Sequence, residues 1–337
     1  MSPFIVAELS ANHLGSVGRA MTVVDAAARA GASAVKFQTF TPESMVADPA
    51  YILPSGPWAG RKLIDLYREA MTPWEWHARL FKFARELDMI PFSTPFDAQA
   101  VDFLETLNCP IYKIASFEVT DLPLIHYAAQ TGKSLIISTG MATAEEITDA
   151  VVTARKAGCK DLTLLKCTSA YPAPASAANL ATILDMASYG CRVGLSDHSP
   201  GIGVAVAAVA MGATVIEKHL TLSRTDGGPD AKFSMEPDEF SQLVTECNRA
   251  YEAIGEAKYG PSEAEQSSVN LRRSLYFAKD LKAGQVVQTA DIRTARVALG
   301  LPPKDLDIVI GRRVTKDVRA GQPVSLEVID ARKYVSQ

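Results

Sequence analysis

Along the first 255 residues, short apolar runs rich in β-branched side chains alternate with longer stretches in which apolar residues recur at helical spacing. Runs of about five apolar residues predict strands, and a 3.6-residue period predicts helices. Eight runs read as strands, at 4–8, 34–38, 89–93, 111–115, 135–138, 162–166, 193–196 and 215–219. Each is followed by an amphipathic segment, such as 20–30 after the first and 145–157 after the fifth. Eight strand–helix units in this length predict a (β/α)8 TIM barrel. An open doubly wound sheet is the competing arrangement, but no GxGxxG opens the first unit.

Two stretches break the alternation. The link from Thr41 to Thr72 carries Pro42, Pro49, Pro54, Gly56, Pro57 and Gly60. A loop of that length inside a compact domain is usually functional or part of an interface. From Gly255 the chain turns polar (GEAKYGPSEAEQSSVN), the composition of a linker. The expected organisation is therefore a barrel over 1–255, a linker over 256–270 and a small, mostly β domain over 271–337.

Composition adds exclusions. Hydrophobic residues are 47% and charged residues 21%, so an ordinary globular protein is expected, not a disordered one. A net charge of −4 supplies no global positive field for nucleic acid or an acidic membrane, so any bound anion must be held by local groups. The five cysteines (Cys109, Cys159, Cys167, Cys191, Cys247) are odd in number and contain no CxxC pair. That argues against a disulfide framework and a structural zinc site. The opening MSPFIVAELSANH has no basic region, and Glu8 interrupts its apolar run, so it reads as a first strand and not as a signal peptide. No run of 18 apolar residues is present. A cytoplasmic enzyme is expected.

In such barrels the reacting groups come from the C-terminal ends of the strands. Polar residues sit there in nearly every unit: Glu8 and Asn12, Lys36 and Gln38, Ser93 and Thr94, Lys113 and Ser116, Ser138 and Thr139, Ser169 and Tyr171, Ser196 and His198, Glu217 and His219. Residues two apart on a strand share a face, so Lys36 points with Gln38, and Glu217 with His219. A lysine inside an apolar strand is costly unless an anion meets it. Two of them among strand-end hydroxyls predict a pocket for a small, multiply charged anion. His77 and His126 fall in helical segments and read as ordinary residues. His198 and His219 end adjacent strands, beside Glu217 and Asp197, which suggests an octahedral site for Mn2+ or Mg2+.

The motifs AELSANH (7–13), AVKFQT (34–39), FSTPFD (92–97), YKIAS (112–116), STGM (138–141), KCTSAYPAP (166–174), GLSDH (194–198), EKHLTL (217–222) and GGPD (227–230) follow one another in the order of the sialic acid synthase family. The chain resembles that family over essentially its whole length, and residues 271–337 resemble its antifreeze-like (SAF) module. TPWEWH (72–77), FEVTDLPL (117–124) and GGPDAKFS (227–234) are similar to the family's pseudaminic acid branch. Ser169 stands where the family usually has Asn.

The resemblance implies condensation of phosphoenolpyruvate with an acylated amino sugar. In this branch the acceptor is 2,4-diacetamido-2,4,6-trideoxy-L-altrose, and related synthases use N-acetylmannosamine or the legionaminic acid precursor. Lys36, Thr94 and Lys113 would hold the donor carboxylate, and Ser116, Ser138 and Ser196 its phosphate. Gln38, Tyr171 and Asp230 join the substrate-binding set. His198 and His219 would hold a divalent metal, Mn2+, Mg2+ or Co2+. Glu8, Lys113 and Glu217 are the catalytic candidates, Glu8 as acid/base or water-orienting group. Arg296 (in TARVALG) would hold the sugar's N-acyl group in the site of a second protomer, in a homodimer with exchanged SAF domains. Two other readings compete. One is a Schiff-base aldolase using Lys113 or Lys166. The other is an ice- or glycan-binding protein, which the barrel's lysines and histidines oppose.

Overall fold

In the computed structural model, which describes residues 2–333, the chain divides into two compact units, 1–255 and 256–337. The first is a closed barrel of eight parallel strands in sequence order: β1 (Phe4–Glu8), β2 (Ala34–Thr39), β3 (Ile90–Pro95), β4 (Ile111–Ile114), β5 (Ser134–Ser138), β6 (Leu162–Cys167), β7 (Arg192–Ser196) and β8 (Val215–His219). The barrel expected from the alternation of strands and helices is the one observed. Closure comes from β1 against β8, paired in five steps from Phe4 with Val215 to Glu8 with His219.

The helices form where the sequence supplies both an apolar stripe and a cap. Val17–Arg29 buries Ala20, Val23, Val24 and Ala27 on one face, and Ser16 caps it by accepting from the Arg19 amide. Ala144–Lys156 starts with a capping box, in which Thr143 and Glu146 satisfy each other's backbone amides. One helix departs from the expected amphipathic pattern. Gly203–Ala210 (GVAVAAVA) is apolar almost all round, because the long helix Pro237–Ile254 packs against it. The 41–72 link is partly ordered into a short antiparallel flap and the helix Leu63–Ala70.

The second unit contains two antiparallel pairs: β9 (Arg273–Phe277) with β10 (Ile292–Arg296), and β11 (Arg312–Val314) with β12 (Ile329–Lys333). Its own core includes Leu275, Phe277, Val287, Val314 and Val324. Residues 334–337 of the expected second domain lie outside the described residues.

Gly194 shows how tightly the barrel interior is filled. A Cβ there would lie 2.3 Å from the Val215 carbonyl oxygen and 2.6 Å from Leu165 Cδ2. The backbone oxygen belongs to the barrel ladder and cannot swing away. Gly194→Ala should cost about 3 kcal/mol, at the upper end for overpacking, and lower the thermal unfolding midpoint by several degrees. A midpoint equal to that of the parent chain would contradict this packing.

Candidate active site

At the C-terminal ends of the strands a cavity of about 380 Å3 opens inside the first unit. Strand register builds its floor. Glu8 sits level with Lys36 on one side and His219 on the other, and Ser196 sits level with Glu217. The Lys36 ammonium contacts the Glu8 carboxylate and lies 3.2 Å from Thr94 Oγ1. Glu217 Oε1 is shared, 3.6 Å from Lys36 Nζ and 3.6 Å from Lys113 Nζ. All four charged side chains are buried.

Burial and pairing set their protonation. Burial disfavours the Lys36 charge, but Glu217 and Glu8 outweigh it and hold the ammonium above its ordinary range. Burial wins at Lys113, whose pKa falls despite Glu217. It also raises Glu8, against Lys36 and with help from the Glu217 charge. For Glu217 burial is overcome by Lys113, Lys36 and His198, so its carboxyl lies below the usual range. Of this pair, Glu217 is the one fixed as an anion.

Hydroxyls surround the lysines. Ser138 Oγ is buried with no hydrogen-bond partner, and Ser196 donates to Glu217 Oε1 at 3.1 Å. Ser116 Oγ accepts from the Gly140 amide at 3.1 Å. Gly140 must be glycine for this, since a Cβ would meet Ser169 Oγ at 2.3 Å and Ser116 Oγ at 2.7 Å. A buried unpartnered hydroxyl that lines one cavity with two ammonium groups could meet an anion there.

The His198 and His219 rings lie 5.3 Å apart, inclined at 56°. His198 donates from Nδ1 to the Thr168 carbonyl at 3.1 Å, and although burial opposes its charge, the Cys167 contact raises its pKa. Burial, then His198 and the two floor lysines, push His219 well below its ordinary range, so it is neutral. Its Nδ1 is buried without a partner. A neutral imidazole with an orphaned nitrogen beside a second imidazole fits a divalent metal. Among the described residues no group of three or more His, Cys, Asp or Glu is arranged to hold one. Water and substrate oxygens would have to complete the coordination.

Asp197 does not stand where it was expected, beside the imidazoles. Lys218 lies between Glu217 and His219 on β8, so pleating turns it to the barrel's other face, and Asp197 follows it there. Lys218 Nζ donates to Asp197 Oδ2 at 2.8 Å, to the Ser199 carbonyl at 2.7 Å and to the Gly201 carbonyl at 3.0 Å. All three ammonium donors are used. They clamp the loop after β7 that carries His198, two residues past the strand end.

On another wall Asp230 accepts from Ser10 Oγ and, at 3.3 Å, from the Ala11 amide, and burial raises its pKa. Gln38 Nε2 reaches Ser10 Oγ at 3.1 Å. Tyr171 stacks obliquely on His198, ring centres 4.5 Å apart.

Eleven of the expected residues thus line the cavity: Lys36, Gln38, Lys113, Ser116, Ser138, Tyr171, Ser196, His198, Glu217, His219 and Asp230. Glu8 and Thr94 do not line it, and both touch Lys36. Arg296 ends β10 in the second unit, with its side chain exposed.

Two groups were not anticipated. Burial pushes Glu118 up to about 7, against the pull of Lys113, and its Oε2 has no partner. It lies two residues after Ser116 in a 3-10 turn, a spacing that could have flagged it. Cys167 also lines the cavity, 3.9 Å from His198 Nδ1. Burial opposes its ionisation, but the His198 contact brings the thiol down to about 7.

Comparison with known proteins places this geometry. The NeuB family model matches residues 23–259, and a SAF domain model matches residues 272–328. Pseudaminic acid synthase of Helicobacter pylori is 41% identical over 335 residues, covering 97% of this chain and 98% of that one. N,N'-diacetyllegionaminic acid synthase of Campylobacter jejuni is 35% identical over 322 residues, 94% and 96% of the two chains. Among solved structures, N-acetylneuraminic acid synthetase of Leptospira borgpetersenii superposes with a TM-score of 0.73 at 34% identity, over 80% of this chain and 90% of that one.

The Lys218 clamp is directly testable. Lys218→Met leaves Asp197 as a buried, unpaired carboxylate, which should cost about 3–5 kcal/mol of stability. Adding Asp197→Leu should recover most of that loss. Urea unfolding of the two variants checks both, and a loss under about 1 kcal/mol for the single variant would refute the clamp.

Proposed function

The chain belongs to the NeuB family, and on that premise we propose that it condenses phosphoenolpyruvate with 2,4-diacetamido-2,4,6-trideoxy-L-altrose to give pseudaminic acid and phosphate. The pairing of two buried lysines with an orphaned serine hydroxyl and an imidazole pair, of which His219 is neutral, carries this reading. It provides an anion pocket and a metal-binding edge in one cavity of about 380 Å3.

Lys36 and Lys113 take the donor's carboxylate, with Thr94 holding Lys36 in place. Ser116, Ser138 and Ser196 take its phosphate. His198 and His219 hold the divalent metal, Mn2+, Mg2+ or Co2+, which supplies a Lewis acid for the acceptor's aldehyde oxygen when bound. Asp230, Gln38 and Tyr171 orient the acceptor, so that the attack is effectively intramolecular.

C3 of phosphoenolpyruvate bonds to the aldehyde carbon, whose oxygen gains a proton. Water adds at the resulting cationic C2 and loses one proton, and the C2–O bond to phosphate then breaks as the new hydroxyl gives up its remaining proton and becomes the C2 ketone. The anionic Glu217 beside both lysines stabilises the cationic C2. Burial raises Glu118 to about 7 and raises Glu8 above its ordinary range, which makes both candidate acid/base groups. Lys166 does not serve a Schiff base, because it donates to the Cys167 carbonyl at 2.8 Å and does not line the cavity. Lys113 does line it, with its pKa lowered by burial, and is the lysine on which an aldolase reading would rest.

Arg296 completes the site from a partner chain in a homodimer, a role that the family resemblance supports. All five cysteines are free thiols, in keeping with a reducing cytoplasm.

Phosphate release from phosphoenolpyruvate, measured with each candidate sugar, tests the reaction. Release with the trideoxy-altrose acceptor is expected. Release only with N-acetylmannosamine or the legionaminic precursor would move the assignment to those synthases. Chelation should abolish activity and Mn2+, Co2+ or Mg2+ restore it. Full activity after exhaustive chelation would remove the metal from the scheme. Borohydride with substrate should trap no adduct, and a trapped one would favour the aldolase.

A mixing experiment tests the shared site. Arg296→Ala and His219→Ala are each expected to be nearly inactive at low sugar concentration. If the arginine acts in trans, mixed dimers have one site with both lesions and one with neither, so activity returns. No return after verified subunit exchange would place Arg296 in cis.

A further inference from the structure

Part of the cavity's lining is hydrocarbon, and one small element supplies a share of it. Residues 51–63 fold into an antiparallel flap. The Leu53 amide donates to the Arg61 carbonyl at 3.0 Å, the Gly60 amide to the Leu53 carbonyl at 2.8 Å and the Leu63 amide to the Tyr51 carbonyl at 3.0 Å. Ile52 pairs with Lys62 across it. Strand alternation then puts Leu53 and Leu63, with Arg61 and Tyr51, on one face and Ile52 with Lys62 on the other. Leu53 and Leu63 line the cavity, with Leu66 from the next helix, while Ile52 is 54% exposed to solvent.

Two contacts hold the flap over the site. At its tip Trp58 donates from Nε1 to the Pro229 carbonyl at 3.1 Å, next to Asp230. Its ring lies 5.8 Å from that of Tyr171, which in turn stacks on His198. At its base Arg61 pairs with Glu69 at 2.5 Å. Trp58 therefore spends its one donor on a backbone oxygen. Leu53, Leu63 and Leu66 have none. Of the flap residues that line the cavity, Leu53, Trp58 and Leu63, none has a side-chain donor or acceptor left to offer; the polar groups nearest them are Arg61, which pairs with Glu69, and Tyr67 of the next helix.

We propose that this flap is the element that selects the acceptor, by accepting a methyl group at the sugar end remote from the aldehyde and rejecting a hydroxymethyl group there. This rests on the function proposed above, which fixes the aldehyde beside the imidazoles and the donor between the lysines. The acceptor's far end must then point away from the charged floor, under Leu53, Leu63 and Leu66. A hydroxyl packed against these three leucines loses water on that side and finds no partner among them. The discrimination expected of a hydrophobic pocket against an added hydroxyl is about 100-fold at most.

The test uses the full-length enzyme, phosphoenolpyruvate and metal with two acceptors. These are 2,4-diacetamido-2,4,6-trideoxy-L-altrose and its 6-hydroxy counterpart, 2,4-diacetamido-2,4-dideoxy-L-altrose. The parent chain should prefer the deoxy sugar by roughly 10- to 100-fold in kcat/KM. Leu53→Ser and Leu63→Asn should each shrink that ratio to a few-fold, chiefly by improving use of the 6-hydroxy sugar. Leu53 is half-buried at the flap, so Leu53→Ser carries the test if Leu63→Asn does not fold. An unchanged ratio in the folded variants overturns the proposal. So does a ratio that falls only because the KM for phosphoenolpyruvate rises, since that marks general damage. If the parent chain uses neither sugar, the proposed function itself fails, a result distinct from either.

Discussion

Glu8, Lys36, Lys113 and Glu217 bring two carboxylates and two ammonium groups into one chain of ion pairs, none longer than 3.6 Å, inside a barrel otherwise filled with aliphatic side chains. Any one of these charges alone would be prohibitively costly to bury, and loss of one partner from such a set typically costs 3–5 kcal/mol. As a set they are neutral, so the barrel can close without a ligand. They are not fully satisfied, however. Glu217 shares one oxygen between two lysines, and its other oxygen has no partner. An arriving anion finds positive charge already in place and already dehydrated, so little reorganisation is needed when it binds.

The neutral cluster also depends on register, because a one-residue slip would reverse every inward side chain. β8 shows what that register separates. Glu217 and His219 face the cavity, and Lys218 between them faces the helices. The same strand thereby supplies a floor carboxylate, one imidazole and the clamp that holds the loop bearing the other imidazole. Glu217 and Lys218 are adjacent in sequence and do unrelated work.

That separation explains where sequence alone succeeded and where it failed. The eight strands were legible because each is a compact apolar run, and their ends differ by only a residue or two from those observed. Inward-facing pairs two apart, Lys36 with Gln38 and Glu217 with His219, were legible for the same reason. Asp197 was misplaced because its position past the end of β7 carries no pleat, and only the location of Lys218 decides which way it turns. Glu118 was missed because its raised pKa comes from burial; its spacing from Ser116 was the one local signal that could have pointed to it. The flap was visible only as a long, proline-rich interruption. Its antiparallel pairing is short, and Pro54, Gly56 and Pro57 hide the alternation that points Leu53 and Leu63 inward. Arg296 lies in the other unit, where neither strand pattern nor motif spacing can bring it to the barrel.

The cavity is therefore polar at its base and apolar at its lid, and the two ends answer different demands. At the base, charge must be exact in kind and placement, so the groups come from strands that cannot move without breaking the barrel. At the lid, what matters is the absence of partners for a hydroxyl. That demand is met by Leu66 of the next helix and by Leu53 and Leu63 on a flap held by a few backbone bonds, one indole contact and one surface ion pair. A change of acceptor needs only the lid to vary, with every ion pair below it kept. A loop inserted after β2 can supply such variation at small cost to the barrel, since loop closure becomes only slowly more unfavourable as the loop lengthens. A family that joins one donor to several amino sugars would be expected to place its variation in a segment of this kind, and its constancy in the strand ends beneath.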